Sequence, residues 1–190
     1  MEQGIDNTAL GKLVHVLAKY TALAGGVVLI AFMLVTVVNI AGRALLPLND
    51  LFGARIFRPI PGDYEIAEAG MAFAAFAFLG WCTLTRGHAV VSLVTDRLPL
   101  RVNAAVVLVM ESVMLVAAIF IAWRHAVGML DKLGNGETSF ILRFPIWWAY
   151  AAGMIGAAVW VIVLVYCVVR SAQNVAAARP EKPAAEIADE

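Results

Sequence analysis

Long apolar stretches bounded by charge dominate the pattern along this chain. Four gaps between charged residues stand out: Lys19 to Arg43, Glu68 to Arg86, Arg101 to Arg124 (broken only by Glu111) and Arg143 to Arg170. A bilayer core of about 30 Å needs roughly 20 apolar residues in a helix. The second gap reaches that length once its helix starts near Tyr64, with Glu65 and Glu68 in the first turns. Every stretch is apolar on all sides and lacks two-residue alternation, which predicts helices and not barrel strands. The expected fold class is an all-α integral membrane protein with four transmembrane helices, at about 20–42, 64–85, 102–123 and 144–169. They form a single four-helix membrane domain over 1–174, followed by an Ala-, Pro- and Glu-rich tail over 175–190 that reads as disordered. The run from Tyr20 to Val38 is longer than a signal-peptide core and lacks a clean cleavage site, so it is expected to be a retained helix.

Local signals refine the boundaries. Pro61-Gly62-Asp63 predicts a helix start, with Asp63 capping free N–H groups and Glu65 and Glu68 facing the positive end of the dipole. Gly134-Asn135-Gly136 predicts a turn within a loop over 128–143, and Pro145 suits the first turn of the fourth helix. The loop over 45–62 contains Pro47, Pro59 and Pro61 and is long for a helical hairpin. Between the second and third spans, Val90, Val91, Val94 and Leu98 fall on one side of a helical projection. His88, Ser92, Thr95 and Asp96 fall on the other. That pattern predicts a short amphipathic interfacial helix, either a solvated connector or a docking element.

Composition agrees with a lipid solvent. Hydrophobic residues make up 62% and charged residues 15%, the formal net charge is zero and mean hydropathy is +0.84. A soluble domain of 190 residues lacks the interior to hide that much apolar surface. The balance argues against a soluble enzyme, a nucleic-acid binder and, with two cysteines, a secreted disulfide scaffold. The terminal segments and middle loop carry eight Lys and Arg, against six in the other two loops. The positive-inside rule thus favours cytoplasmic termini by a narrow margin. Cys82 and Cys167 then fall near cytoplasmic helix ends, where a reduced, structural role is expected.

Few polar residues enter the spans. Glu111 sits in the third, where a charge costs a few kcal/mol unless paired, protonated or facing a cavity. An interhelical or intersubunit contact is the main reading and an ion site the alternative. Asn39 and Arg43 share a face near the outer end of the first helix, which suggests an Arg43–Glu65 or Arg43–Glu68 pair. Haem ligation would need two imidazoles at one iron, and only His15 with His88 share a side of the membrane. His125 falls on the other. Gly25-Gly26 lies inside an apolar run and is not a phosphate loop. Ala67, Gly70, Ala74 and Ala77 line one side of the second helix, a packing signal.

Asn39-x-x-x-Arg43, the acidic start Glu65 and Glu68, Arg86-Gly87-His88 followed by Asp96-Arg97-Leu98-Pro99, and Ser139 to Pro145 with Tyr150 occur in order across the four spans. Together they resemble the small, DctQ-like membrane subunit of a tripartite ATP-independent periplasmic (TRAP) transporter. Ser92 departs from the pattern, standing where the family usually has an acid. The resemblance spans about Lys12 to Arg170 and implies an inner-membrane location. It implies two protein partners, a large DctM-like permease subunit and a periplasmic DctP-like binding protein, with lipids around them and no nucleic acid. It implies no enzymatic activity, catalytic residue, metal or cofactor in this chain, sodium and the organic-acid substrate being held by the large subunit. Asn39, Arg43, Glu65, Glu68, Arg86, His88, Asp96 and Glu111 are the expected interface or structural polar network. Arg55, Arg58, Asp131, Lys132, Glu137 and Arg143 are candidates for docking the binding protein. A haem- or quinone-binding anchor of a redox complex is the competing reading.

Overall fold

A computed structural model describes residues 9–47, 60–87 and 99–177. It contains four helices: α1 (Ala9–Ala44), α2 (Asp63–Leu84), α3 (Leu100–Asn135) and α4 (Trp147–Ala177). All four are long and apolar enough to cross a membrane. The expected interfacial helix over 88–98 lies outside the described residues.

α1 and α3 outrun their apolar stretches. Each has 36 residues, a rise of about 54 Å. α1 begins at Ala9, well before Tyr20, and α3 continues through Arg124, Gly128 and Gly134. The first half of the segment expected to be a loop over 128–143 is therefore helix. α3 ends at Gly136, whose left-handed φ of 63° terminates it, with the Gly136 and Glu137 N–H groups donating to the carbonyls of Leu133 and Lys132. The chain then makes a small return, with an isolated bridge between Thr138 and Pro145, and α4 starts at Trp147.

The start of α2 is built differently from the expected Asp63 cap. Gly62 occupies the N-cap position at φ 79° and no side chain caps the helix. A Cβ on Gly62 would also collide with Leu142. Glycine therefore satisfies both the left-handed turn and the close seat of the 139–145 segment.

α4 is the axis of the bundle and packs on all three other helices; α1 also packs on α2. Toward the terminal end, Val14 and Ala18 of α1 and Leu84 of α2 surround Val159, Val163, Tyr166 and Cys167 of α4. Nearer the middle, Phe76 and Leu79 of α2 and Met114 and Leu115 of α3 pack on Ala118, Trp160 and Leu164. In lipid, apolar contact alone does not drive helices together, so close backbone approach through small residues matters more. Ala74 and Ala77, on the small-residue side of α2, are buried, and Phe32 of α1 covers Gly70. A Cβ on Gly156 of α4 would meet Phe76 Cβ at 2.9 Å and the Phe73 carbonyl at 3.1 Å. Trp160 closes this seam, its Nε1–H donating to Thr83 Oγ1 at 3.1 Å.

The outer helices stay bare. Val27, Ile30 and Met33 of α1 and Val113, Val116 and Phe120 of α3 are all more than half exposed. Surfaces of that size and character belong in lipid or against another protein.

Candidate interaction sites at the two ends of the bundle

Antiparallel neighbours place the end of α1, the start of α2 and the α3–α4 turn at one end, the hairpin end, and the start of α1, the end of α2, the start of α3 and the end of α4 at the other, the terminal end. The polar groups of the described residues gather at these ends.

At the hairpin end, Asn39 is buried near the end of α1 and clamps the entry to α2. Its Oδ1 accepts the Ile60 N–H at 2.9 Å, and its Nδ2 donates to the Asp63 carboxylate. Glu65 ties the α3–α4 connection to α2. Its Oε1 accepts the Ile141 N–H at 2.6 Å and its Oε2 the Leu142 N–H at 2.9 Å. Ser139 Oγ meets the Phe144 N–H at 3.3 Å within the same turn, and Arg143 is held there at a left-handed φ of 55°. Successive amides around one carboxylate form an anion-binding nest filled from within the chain. The expected Arg43–Glu65 pair is therefore replaced: Glu65 is spent on backbone amides. Among the described residues no ion pair joins Arg43 to Glu65 or Glu68, and both Arg43 and Glu68 are exposed.

The docking candidates at this end are partly engaged with one another. Lys132 Nζ donates to Glu137 Oε2 at 2.7 Å, and that hydrogen bond holds the Glu137 carboxyl below its usual range. Asn135 Nδ2 donates to Asp131 Oδ1 at 3.3 Å. Arg143 is exposed, and Arg55 and Arg58 lie outside the described residues.

His125 serves packing. Its Nε2 lies 3.0 Å from the Tyr150 carbonyl, an acceptor only, so Nε2 carries the proton. The ring stacks on Tyr150 with centroids 5.0 Å apart and meets Phe76 edge-on at 5.4 Å. Nothing in the helical pattern marks this histidine as an α2–α3–α4 junction, because Phe76 and Tyr150 are remote from it in sequence.

At the terminal end, Arg86 follows the last turn of α2 in a left-handed conformation, φ 53°. Its guanidinium lies 3.5 Å from Glu111 Oε1 of α3. The carboxylate inside the third span thus has a cation from just past the end of α2, a partner that spacing did not single out. Arg170 and Ser171 of α4 are buried here, with the Arg170 guanidinium over the Tyr166 ring at 5.9 Å. Neither was marked by the sequence, because an arginine at the end of a span reads as its boundary. His15 packs edge-on to Trp81, with centroids 5.2 Å apart. His88 and Asp96 lie outside the described residues. His125, at the hairpin end, is far from His15 along the bundle, and both described histidines are engaged by aromatic rings.

The fold and these ends define a class: a four-helix integral membrane protein whose polar contacts fasten helix ends and connections. A family model for the DctQ component of tripartite ATP-independent periplasmic transporters matches residues 32–174, well over half of the chain. The chain belongs to this family and is a small permease component of such a transporter. No curated protein and no solved structure matches it. Membership brings the tripartite plan, with a large permease and a binding protein as the other components.

Proposed function

We propose that this chain is the static scaffold of a sodium-driven transporter for organic acids, bracing the large subunit that moves substrate and helping to dock the periplasmic binding protein. The observation that carries the reading is the distribution of polarity. The helices run unbroken, and α4 fills the bundle axis with Val163, Leu164 and Cys167 at full burial. A secondary transporter's pathway is built from discontinuous helices with polar groups near the midplane. Here the Glu111 carboxylate is matched by Arg86, while the flanks of α1 and α3 offer broad apolar faces to a neighbour. Arg143, Asp131 and the Lys132–Glu137 pair supply charge to a docking partner at the hairpin end. The termini face the cytoplasm of a bacterial inner membrane on this reading, and sodium is bound by the large subunit alone.

The test is reconstitution. The chain should co-purify with a large membrane subunit, and liposomes need both, plus the binding protein, for sodium-dependent uptake. Glu111→Gln should retain uptake wherever the complex assembles. Flux through liposomes holding this chain alone, abolished by Glu111→Gln, would defeat the scaffold reading.

A further inference from the structure

The hairpin end contains a groove that none of the roles above fills. It encloses about 500 Å³ between the first three turns of α2, His125 of α3 and Tyr150 of α4, with Phe140 of the connecting turn at its mouth. Two carboxylates reach it. Glu65 is saturated by the loop amides, whereas Glu68 is exposed and has no ion pair among the described residues. Tyr64 and Phe140, at 72% and 95% exposure, stand beside it as open aromatic faces. Past Glu68 the α2 wall continues with the adjoining Ala69 and, one turn on, Ala72.

Depth assigns the occupant. α2 has 22 residues, a rise of about 33 Å, which barely crosses a hydrocarbon core of about 30 Å. Its first turns therefore lie at headgroup level. The exposed Trp123 indole with Arg124 beside it, on the residues just before His125, marks the same boundary on α3. The groove thus runs from an anionic, aromatic mouth to an apolar floor along the direction in which a phospholipid changes from headgroup to acyl chain.

We propose that this groove binds a phospholipid with a primary ammonium headgroup, of the phosphatidylethanolamine class, its ammonium on the Glu68 carboxylate and its apolar part along Ala69 and Ala72. An ammonium gains a charge-assisted hydrogen bond from Glu68 and the faces of the aromatic rings. A quaternary choline cannot donate that bond, and an anionic glycerol headgroup is repelled by Glu65 and Glu68. The proposal does not depend on what the complex transports.

The experiment uses the full chain co-expressed with its large subunit, stripped of lipid in detergent and exposed to phosphatidylethanolamine, phosphatidylcholine or phosphatidylglycerol. Retained lipid is counted by native mass spectrometry. Phosphatidylethanolamine should be retained about tenfold more than the other two, as one hydrogen bond to a charged group implies. Glu68→Gln should reduce it to the phosphatidylcholine level, and Ala69→Leu, which fills the floor, should do the same with both carboxylates intact. Lys19→Gln, at the other end of α1, should change nothing. Equal retention of the three lipids, or retention unaffected by both groove variants, overturns the proposal. So does a carbodiimide cross-link from Glu68 to a lysine of a periplasmic protein without lipid retention. Subunit co-purification, read in the same samples, separates failure of this site from failure of the scaffold.

Discussion

Replacing Arg86 by methionine leaves Glu111 without its cation inside the apolar stretch of α3. Breaking a buried ion pair by removing one partner costs about 3–5 kcal/mol, and a lone carboxylate at a helix centre about 2.5–3.5 kcal/mol on insertion scales. The pair is loose at 3.5 Å and its side chains keep 18% and 14% of their exposure, which favours the lower end. We expect a loss of about 2–3 kcal/mol for Arg86→Met. The reverse change, Glu111→Leu, leaves an arginine at a helix end, where its stem can carry the charge toward water and where it keeps another partner. Its cost should be smaller, about 1 kcal/mol. The double variant should fall close to Glu111→Leu alone, because the apolar replacement removes the stranded charge. Reversible unfolding of the purified chain in mixed detergent micelles measures all three. Additive losses, or an Arg86→Met variant as stable as the parent, would refute the coupling.

Gly156→Ala pushes a Cβ against Phe76 and the Phe73 carbonyl and should cost about 1–3 kcal/mol, whereas Gly26→Ala, with nothing within 4 Å, should gain a few tenths to about 1 kcal/mol from helix propensity. Thermal melts of the two variants compare them directly. Glu65→Ala should free the Ile141 and Leu142 amides, raising hydrogen exchange over 139–145 while the helix cores stay protected. The depressed Glu137 carboxyl makes its contact with Lys132 fully present above the ordinary carboxylate range of about 4.3, and lost as pH falls through the lower folded value. Exchange at 136–138 should therefore rise on acidification, and Glu137→Gln should abolish that dependence.

The sequence by itself determined the four crossings, the seam of Ala74 and Ala77 on α2 and the family, because transfer from water to lipid is a property of each segment and shows in its own residues. It placed Asn39, Glu65 and Glu111 as polar groups in need of partners, and those partners it did not supply. Glu65 meets amides 76 and 77 positions away, and Glu111 meets an arginine beyond the end of another helix. Loss of hydrophobicity marks where lipid ends, but α3 runs on to Asn135 because a helix stops where its backbone must turn. Four helices apolar all round carry no mark of their order, so only the tertiary structure decided that α4 is central and α1 and α3 are flanks. That choice rests on where backbones approach closely, a matter of paired surfaces that no single stretch of chain contains.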